Sequence, residues 1–165
     1  MLTGLSELLR HSLENIGVQE VSLRHEIEFL KIYLEIEQVR FQDRLKVQLN
    51  IESETFKATV PNLILQPLVE NAIRHGFGKQ GKAGLVAITI RRENGTLQIR
   101  VRDDGAGLPK NWRLEENKTG IGIANTRARL RQLYGDAQTF DIRRADGDGT
   151  IVIVKIPFRT QSDEV

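Results

Sequence analysis

Cysteine is absent from the 165 residues. That removes a disulfide framework, a thiolate zinc site and a cysteine nucleophile, and it fits a reducing compartment. Long apolar runs are missing too; none approaches the ~18 residues that a membrane helix requires. The first twenty residues carry Glu7, Arg10 and Glu14 among their leucines, the wrong pattern for a secretory leader. A cytoplasmic domain is the expectation. Charge of one sign is also scarce: 24 Lys and Arg against 22 Asp and Glu leave a net +2, too small a surplus to point to nucleic acid. Against four prolines stand fourteen glycines, whose placement proves informative. With 39% apolar and 28% charged residues, the chain is too apolar for a disordered tail. Its length suits one domain with a helical extension.

Residues 1–20 read as an amphipathic helix, with Leu5, Leu8, Leu9 and Leu13 at helical spacing and Gly17 placed to end it. A second helix is predicted over residues 23–41, N-capped by Ser22, with Leu23, Ile27, Leu30 and Leu34 in one stripe. From Leu45 the pattern changes to alternation through Val47, Leu49 and Ile51, a half-buried strand. Pro61 stands where a helix can begin. Residues 63–75 then read as that helix, stopped by Gly76, with Pro67 bending or weakening its start. Two strands, 85–92 and 96–102, flank Glu93-Asn94-Gly95, a hairpin signal. A glycine-bearing stretch leads to a helix over 123–134 capped by Gly135, and a last hairpin pairs 139–144 with 150–156. This order implies an α/β sandwich: a mixed, largely antiparallel sheet with helices on one face, preceded by two helices.

Three constellations carry chemistry. Glu70-Asn71-Ala72-Ile73-Arg74-His75 puts a carboxylate, an amide, a guanidinium and an imidazole on one polar helix face. That mix suits a metal ion with phosphates; the plainer reading is a solvated face ending in two C-terminal cations. Asp103-Asp104-Gly105-Ala106-Gly107 closes an apolar strand. Asp103 there could accept from the exocyclic amine of a purine, and the glycines would let backbone approach a ligand. A calcium loop fails because Lys110 and Trp112 occupy the stretch where further oxygen ligands would fall. Thr119-Gly120-Ile121-Gly122 runs directly into a helix, an anion-site arrangement. A dinucleotide fingerprint fails, since Asn125 stands where the third glycine belongs. No P-loop occurs either.

Taken in order, these motifs resemble the Bergerat-type ATP-binding fold shared by gyrase, the heat-shock chaperones, histidine kinases and MutL. The run from Pro61 through Gln66-Pro67-Leu68-Val69-Glu70-Asn71 to Ile73 looks like the asparagine box of LytS-type sensor histidine kinases. So does Gly120-Ile121-Gly122-Ile123-Ala124-Asn125-Thr126-Arg127, continuing to Tyr134-Gly135. The segment from Glu28-Phe29-Leu30 through Tyr33-Leu34-Glu35-Ile36 to Arg40-Phe41 is similar to their linker. Pro67 replaces an asparagine common in other histidine kinases and is usual for the LytS type.

The resemblance implies the following assignments. Residues 1–43 would be a helical linker and the tail of a dimerisation region, 44–158 the ATP-binding catalytic domain and 159–165 a polar tail. ATP and Mg²⁺ would be bound: Asn71 chelating the metal, Glu70 polarising water or the acceptor nucleophile, Arg74 and His75 near the phosphates. Asp103 would read the adenine amine, with Gly105 and Gly107 shaping that wall. Gly120 and Gly122 would hinge a lid over residues 108–119, and Thr150 would donate to the base or to a water on it. The implied protein is a homodimeric two-component kinase, soluble or the cytoplasmic part of a membrane-bound sensor, that phosphorylates a histidine and passes the group to a response regulator. Alternatives are a regulatory module that binds ATP without transfer, and a slow gyrase-like ATPase. The family's acceptor lies in a Pro-His-Phe-Leu-Phe-Asn motif that is absent here, so the expectation is a fragment lacking its phosphoacceptor. His25 is followed by Glu26, as in other kinases, but Phe29 stands where a Thr or Asn usually follows. It reads as a helix-surface histidine, as does His11.

Overall fold

The alternating segments assemble into a five-stranded sheet whose order is β2-β4-β5-β7-β6. These strands are β2 (Leu45–Ile51), β4 (Gly84–Glu93), β5 (Thr96–Asp103), β6 (Thr139–Arg144) and β7 (Thr150–Pro157). A computed structural model of the protein describes residues 17–76, 83–109, 112 and 120–161. Most of the first expected helix, with His11, and most of the expected lid, with Thr119, lie outside the described residues.

Only β2 and β4 pair in parallel; β4–β5, β5–β7 and β6–β7 are antiparallel. Register lines up one apolar face. Ile88 faces Val101, Ile90 faces Ile99, and these continue to Val152 and Val154. All six are buried, because alternation with period two sends every second side chain to the same side. Three helices cover that face: α1 (Leu23–Phe41), α2 (Leu65–Gly76) and α3 (Ile121–Tyr134). The expected stripe of α1, Leu23, Ile27, Leu30 and Leu34, belongs to the same apolar core as the sheet. Ser22 caps this helix, its hydroxyl accepting the His25 N–H at 3.3 Å.

Helix α2 buries Leu65, Leu68, Val69, Ala72 and Ile73, the i, i+3, i+4, i+7, i+8 set of an amphipathic helix. Its opposite stripe is left for chemistry. Leu68→Ala should destabilise the fold by about 2–5 kcal/mol through lost burial and a cavity. Urea unfolding checks this, and a loss below about 1 kcal/mol would show that the site collapses around the smaller residue.

Two expectations are corrected here. Pro61 does not begin a helix; it ends a short strand, β3 (Thr59–Pro61), and α2 starts at Leu65. Strand β3 pairs antiparallel with β1 (Glu20–Ser22) in a separate two-stranded sheet. Residue 20, expected in the first helix, is therefore a strand residue. Proline is tolerated at a strand end where no ladder donor is required. Pro67 sits in the first turn of α2, where backbone N–H groups have no intrahelical acceptor, so it does not break the helix.

The turn between β3 and α2 is held from outside. Leu63 has φ of +57°, an uncommon conformation for a residue other than glycine. Its N–H donates to Glu26 Oε1 at 2.6 Å, and the Leu65 N–H donates to Glu26 Oε2 at 3.1 Å. Glu26 therefore caps α2 from a neighbouring helix. Burial pushes its carboxyl up from the ordinary range, opposed by backbone N–H groups of Leu65, Leu63 and Ile64 and by the charge of Arg129.

Candidate functional site

Strand β5 ends at Asp103 with its side chain turned inward, only 2% exposed. Oδ1 accepts the Gly105 N–H at 2.9 Å and the Thr150 N–H at 3.3 Å. The adjacent Asp104 turns the other way, as strand alternation requires, and its Oδ1 accepts the Leu85 N–H at 2.7 Å. Two neighbouring aspartates thus divide: one pins β4, the other faces inward.

Three backbone segments crowd around Asp103. A Cβ at Gly105 would overlap the His75 carbonyl oxygen and the Gly76 Cα at the end of α2. Gly149, with φ of +101°, lies so close to the Asp103 carbonyl that any side chain there would collide with it. Gly107 sits against the Gly149 carbonyl. The end of α2, the end of β5 and the start of β7 therefore form one wall around one carboxylate. Burial raises the pKa of Asp103; the N–H groups of Gly105 and Thr150, then the nearby His75, oppose that, while Asp104 adds to it.

Beside this wall lies a cleft of about 420 Å³, within the range of small-ligand sites. Pro67, Glu70, Asn71 and Arg74 of α2 line one side; Gly120, Ile121, Gly122 and Ile123 line the other. The i, i+3, i+4, i+7 spacing of the α2 residues is the stripe opposite its buried face. Arg74 Nη2 meets Glu70 Oε1 at 3.1 Å on the helix surface. Gly120 is the N-cap of α3 and supplies no side-chain cap; the start of this helix, whose first N–H groups lack intrahelical acceptors, faces the cleft.

Glu70, Asn71, Arg74, Gly120 and Gly122 thus line one cavity. Asp103, Gly105, Gly107 and Thr150 form the adjoining wall, and His75 stands at the end of α2 within electrostatic reach of Asp103. Sequence reasoning missed Pro67, Ile121 and Ile123 as lining residues. Ile121, 82% exposed, is an apolar side chain on the rim, and nothing in a helix-start pattern marks it. The contact of Gly149 with the Asp103 carbonyl, 46 residues away in the chain, has no local signal either.

Among the described residues no group of three His, Cys, Asp or Glu could hold a metal ion. Among the described residues, the oxygen donors on the side chains at the cleft are one carboxylate, Glu70, and one amide, Asn71. Such a sparse oxygen set fits Mg²⁺, which keeps waters and takes phosphate oxygens as further ligands.

A family model described as histidine kinase-, DNA gyrase B- and HSP90-like ATPase matches residues 57–160. The chain belongs to this family. The histidine kinase-, gyrase B- and HSP90-like ATPase domain is preceded by a match to a histidine kinase model over residues 1–45. Sensor histidine kinase BtsS of Escherichia coli is 35% identical, over 96% of this chain and 27% of its own length. Sensor protein LytS of Enterococcus faecalis is 30% identical, over 98% of this chain and 29% of its own length. The chain thus spans less than a third of these relatives. The catalytic domain of histidine kinase ThkA has the same fold, with a TM-score of 0.66 at 19% identity over 84% of this chain and 94% of its own. ThkA has also been solved in complex with the response regulator protein TrrA; there the TM-score is 0.60 at 15% identity, over 96% of this chain and 48% of that one. Within the ATPase family fold, the cleft lies between the asparagine-bearing helix α2 and the glycine-led helix α3. Among the described residues no helix is long and apolar enough to cross a membrane.

Proposed function

We propose that this chain is the ATP-binding catalytic part of a two-component sensor histidine kinase. The whole protein would move the γ-phosphoryl group of ATP to a histidine upstream of this chain, for relay to a response regulator. The observation that carries this reading is the buried carboxylate of Asp103, held by two backbone N–H groups beside a cleft whose other side is the N-terminus of α3. A carboxylate accepts from the adenine amine, whereas the oxygen at the same place in guanine would be repelled.

In this reading the phosphates run from Asp103 toward the cleft, where the α3 amides, Arg74 and His75 meet their charge. Asn71 supplies the amide ligand and Glu70 lies beside it. Bound Mg²⁺ would neutralise charge on the β- and γ-phosphate oxygens. Glu70 orients the acceptor imidazole by taking its N–H. A ring nitrogen of that histidine then bonds to the γ-phosphorus as the bond to the β,γ-bridging oxygen breaks, and ADP leaves with the electron pair. The Thr150 hydroxyl is assigned to the base edge, while its N–H fixes Asp103. The names of the relatives and the ThkA–TrrA complex support a response regulator as the eventual partner. A dimer, with residues 1–43 leading from the dimerisation helices, completes the proposal.

The test uses γ-labelled ATP with Mg²⁺. The chain by itself should bind the nucleotide yet remain unlabelled, and a longer protein carrying an upstream histidine should gain acid-labile label. Label on His11 or His25 would overturn the upstream acceptor. Steady phosphate release that Glu70→Gln abolishes, with no phosphohistidine in the longer protein, would make the protein an ATPase instead.

A further inference from the structure

The turn that launches α2 is gripped from one side by the stretch of chain that precedes the sheet. Strand β1 pairs with β3, with Glu20 opposite Pro61. The Asn62 N–H donates to the Gln19 carbonyl at 3.0 Å. Four residues into α1, Glu26 takes the N–H groups of Leu63 and Leu65. From the opposite side Arg129 of α3 donates to the Asn62 carbonyl. Glu26 is 1% exposed, and a buried carboxylate survives there only because these donors satisfy it. Leu63, at positive φ, is a backbone conformation that persists only where its surroundings over-determine it.

We propose that Glu26 is a positioning residue for the nucleotide site: it ties the first turn of α2 to α1, and so sets where Pro67, Glu70 and Asn71 stand against α3. This rests on the reading of the cleft as a nucleotide site. Several contacts make the route physical. The capped turn leads within two residues to Pro67, whose Cβ lies where a side chain at Gly122 would touch it, at 3.5 Å. A frayed first turn would therefore disturb the cleft where α2 approaches α3. Helix α1 also runs past the site. The Tyr33 hydroxyl is pushed up chiefly by burial and then by Glu37 and by Glu70 of α2, while Arg40 and Arg74 pull it down. Rotation or sliding of α1 would thus reach α2 at its capped start. A charge at the cap matters as well as its shape, since a carboxylate at a helix N-terminus also meets the helix dipole. In a longer protein, any motion of the chain ahead of β1 would arrive at the asparagine helix through this same grip.

Two variants and one control test this. Glu26→Ala removes both acceptors and risks misfolding; Glu26→Gln is nearly isosteric and keeps one acceptor. Leu34→Ala removes buried volume from α1 without touching the turn. Hydrogen exchange is measured over α2, and calorimetry follows ADP and a non-hydrolysable ATP analogue with and without Mg²⁺, all at a temperature where each variant is folded. Glu26→Gln should speed exchange from the first turn of α2 through Asn71 and weaken Mg-nucleotide binding roughly threefold to tenfold, the range of a lost helix cap. Leu34→Ala, even at an equal loss in Tm, should leave both within twofold. If Glu26→Gln lowers Tm while exchange through Asn71 and nucleotide affinity stay as in the wild type, the carboxylate is structural only and the proposal fails. An equal effect from Leu34→Ala would also overturn it. If the wild-type chain binds no adenine nucleotide, the functional reading falls, and the exchange comparison still decides whether Glu26 positions α2.

Discussion

Asn71→Ala should lower the affinity for Mg-ATP on the order of 100-fold, while ADP without Mg²⁺ loses little. Asn71 is the amide of the cleft wall, and its oxygen is the neutral ligand that the metal–phosphate complex would take from the protein. Losing a first ligand exceeds the 10- to 100-fold typical of losing a partner behind one. The fold should survive, because Asn71 lies on the cleft side of α2 and the buried set of that helix does not include it. Calorimetry with and without Mg²⁺ separates the terms. Equal losses in both titrations would mean that Asn71 holds the nucleotide itself or the helix, and the metal assignment would be withdrawn.

Asp103→Asn should cut ATP affinity about 10- to 100-fold, the worth of one or two hydrogen bonds to a charged group, and erase the preference for adenine over guanine. Asparagine keeps an oxygen for the Gly105 and Thr150 N–H groups, so the wall stands. Its NH₂ faces the adenine amine donor to donor, yet can donate to the guanine oxygen. The stability effect has the opposite sign. Burial raises the native pKa of Asp103, so the folded state holds its proton more tightly than the unfolded chain. Any stability contribution is then present below the unfolded pKa and is lost as pH rises through the native one. Above its native pKa the ionised side chain is a burden to the fold, and there Asp103→Asn should melt no lower than the wild type. Binding to wild type follows the carboxylate: affinity is full above its raised pKa and falls, as the medium is acidified, at a higher pH than an exposed aspartate would give. An acid midpoint at or below the ordinary aspartate range would contradict the burial argument, and an unchanged ATP-to-GTP ratio in Asp103→Asn would remove Asp103 from the base site.

Much of the site was legible because it is written in local periods. The α2 residues 70, 71 and 74 share a stripe in any helix, and a strand running into Asp103-Asp104-Gly105 must turn one aspartate in and the other out. The hairpin at Asn94-Gly95 and the cap at Ser22 have equally short-range causes. The errors also have a common form. Three-residue strands such as β1 and β3 are too short to display alternation, and Pro61 near an apolar run imitates a helix start.

Amino-acid order alone therefore determined the five strands of the main sheet, the three helices on it, the apolar stripe of α1, the polar stripe of α2 and the glycines at the start of α3. Tertiary structure decided which of these meet. It placed Gly149 against Asp103, set Glu26 on a turn 37 residues further along the chain, and made Pro61 a strand residue by giving it Glu20 as a neighbour. The physical reason is reach. Helical and strand periods arise from backbone geometry within a few residues, whereas a buried carboxylate or a side-chain-free contact is chosen by whichever distant segment packs against it.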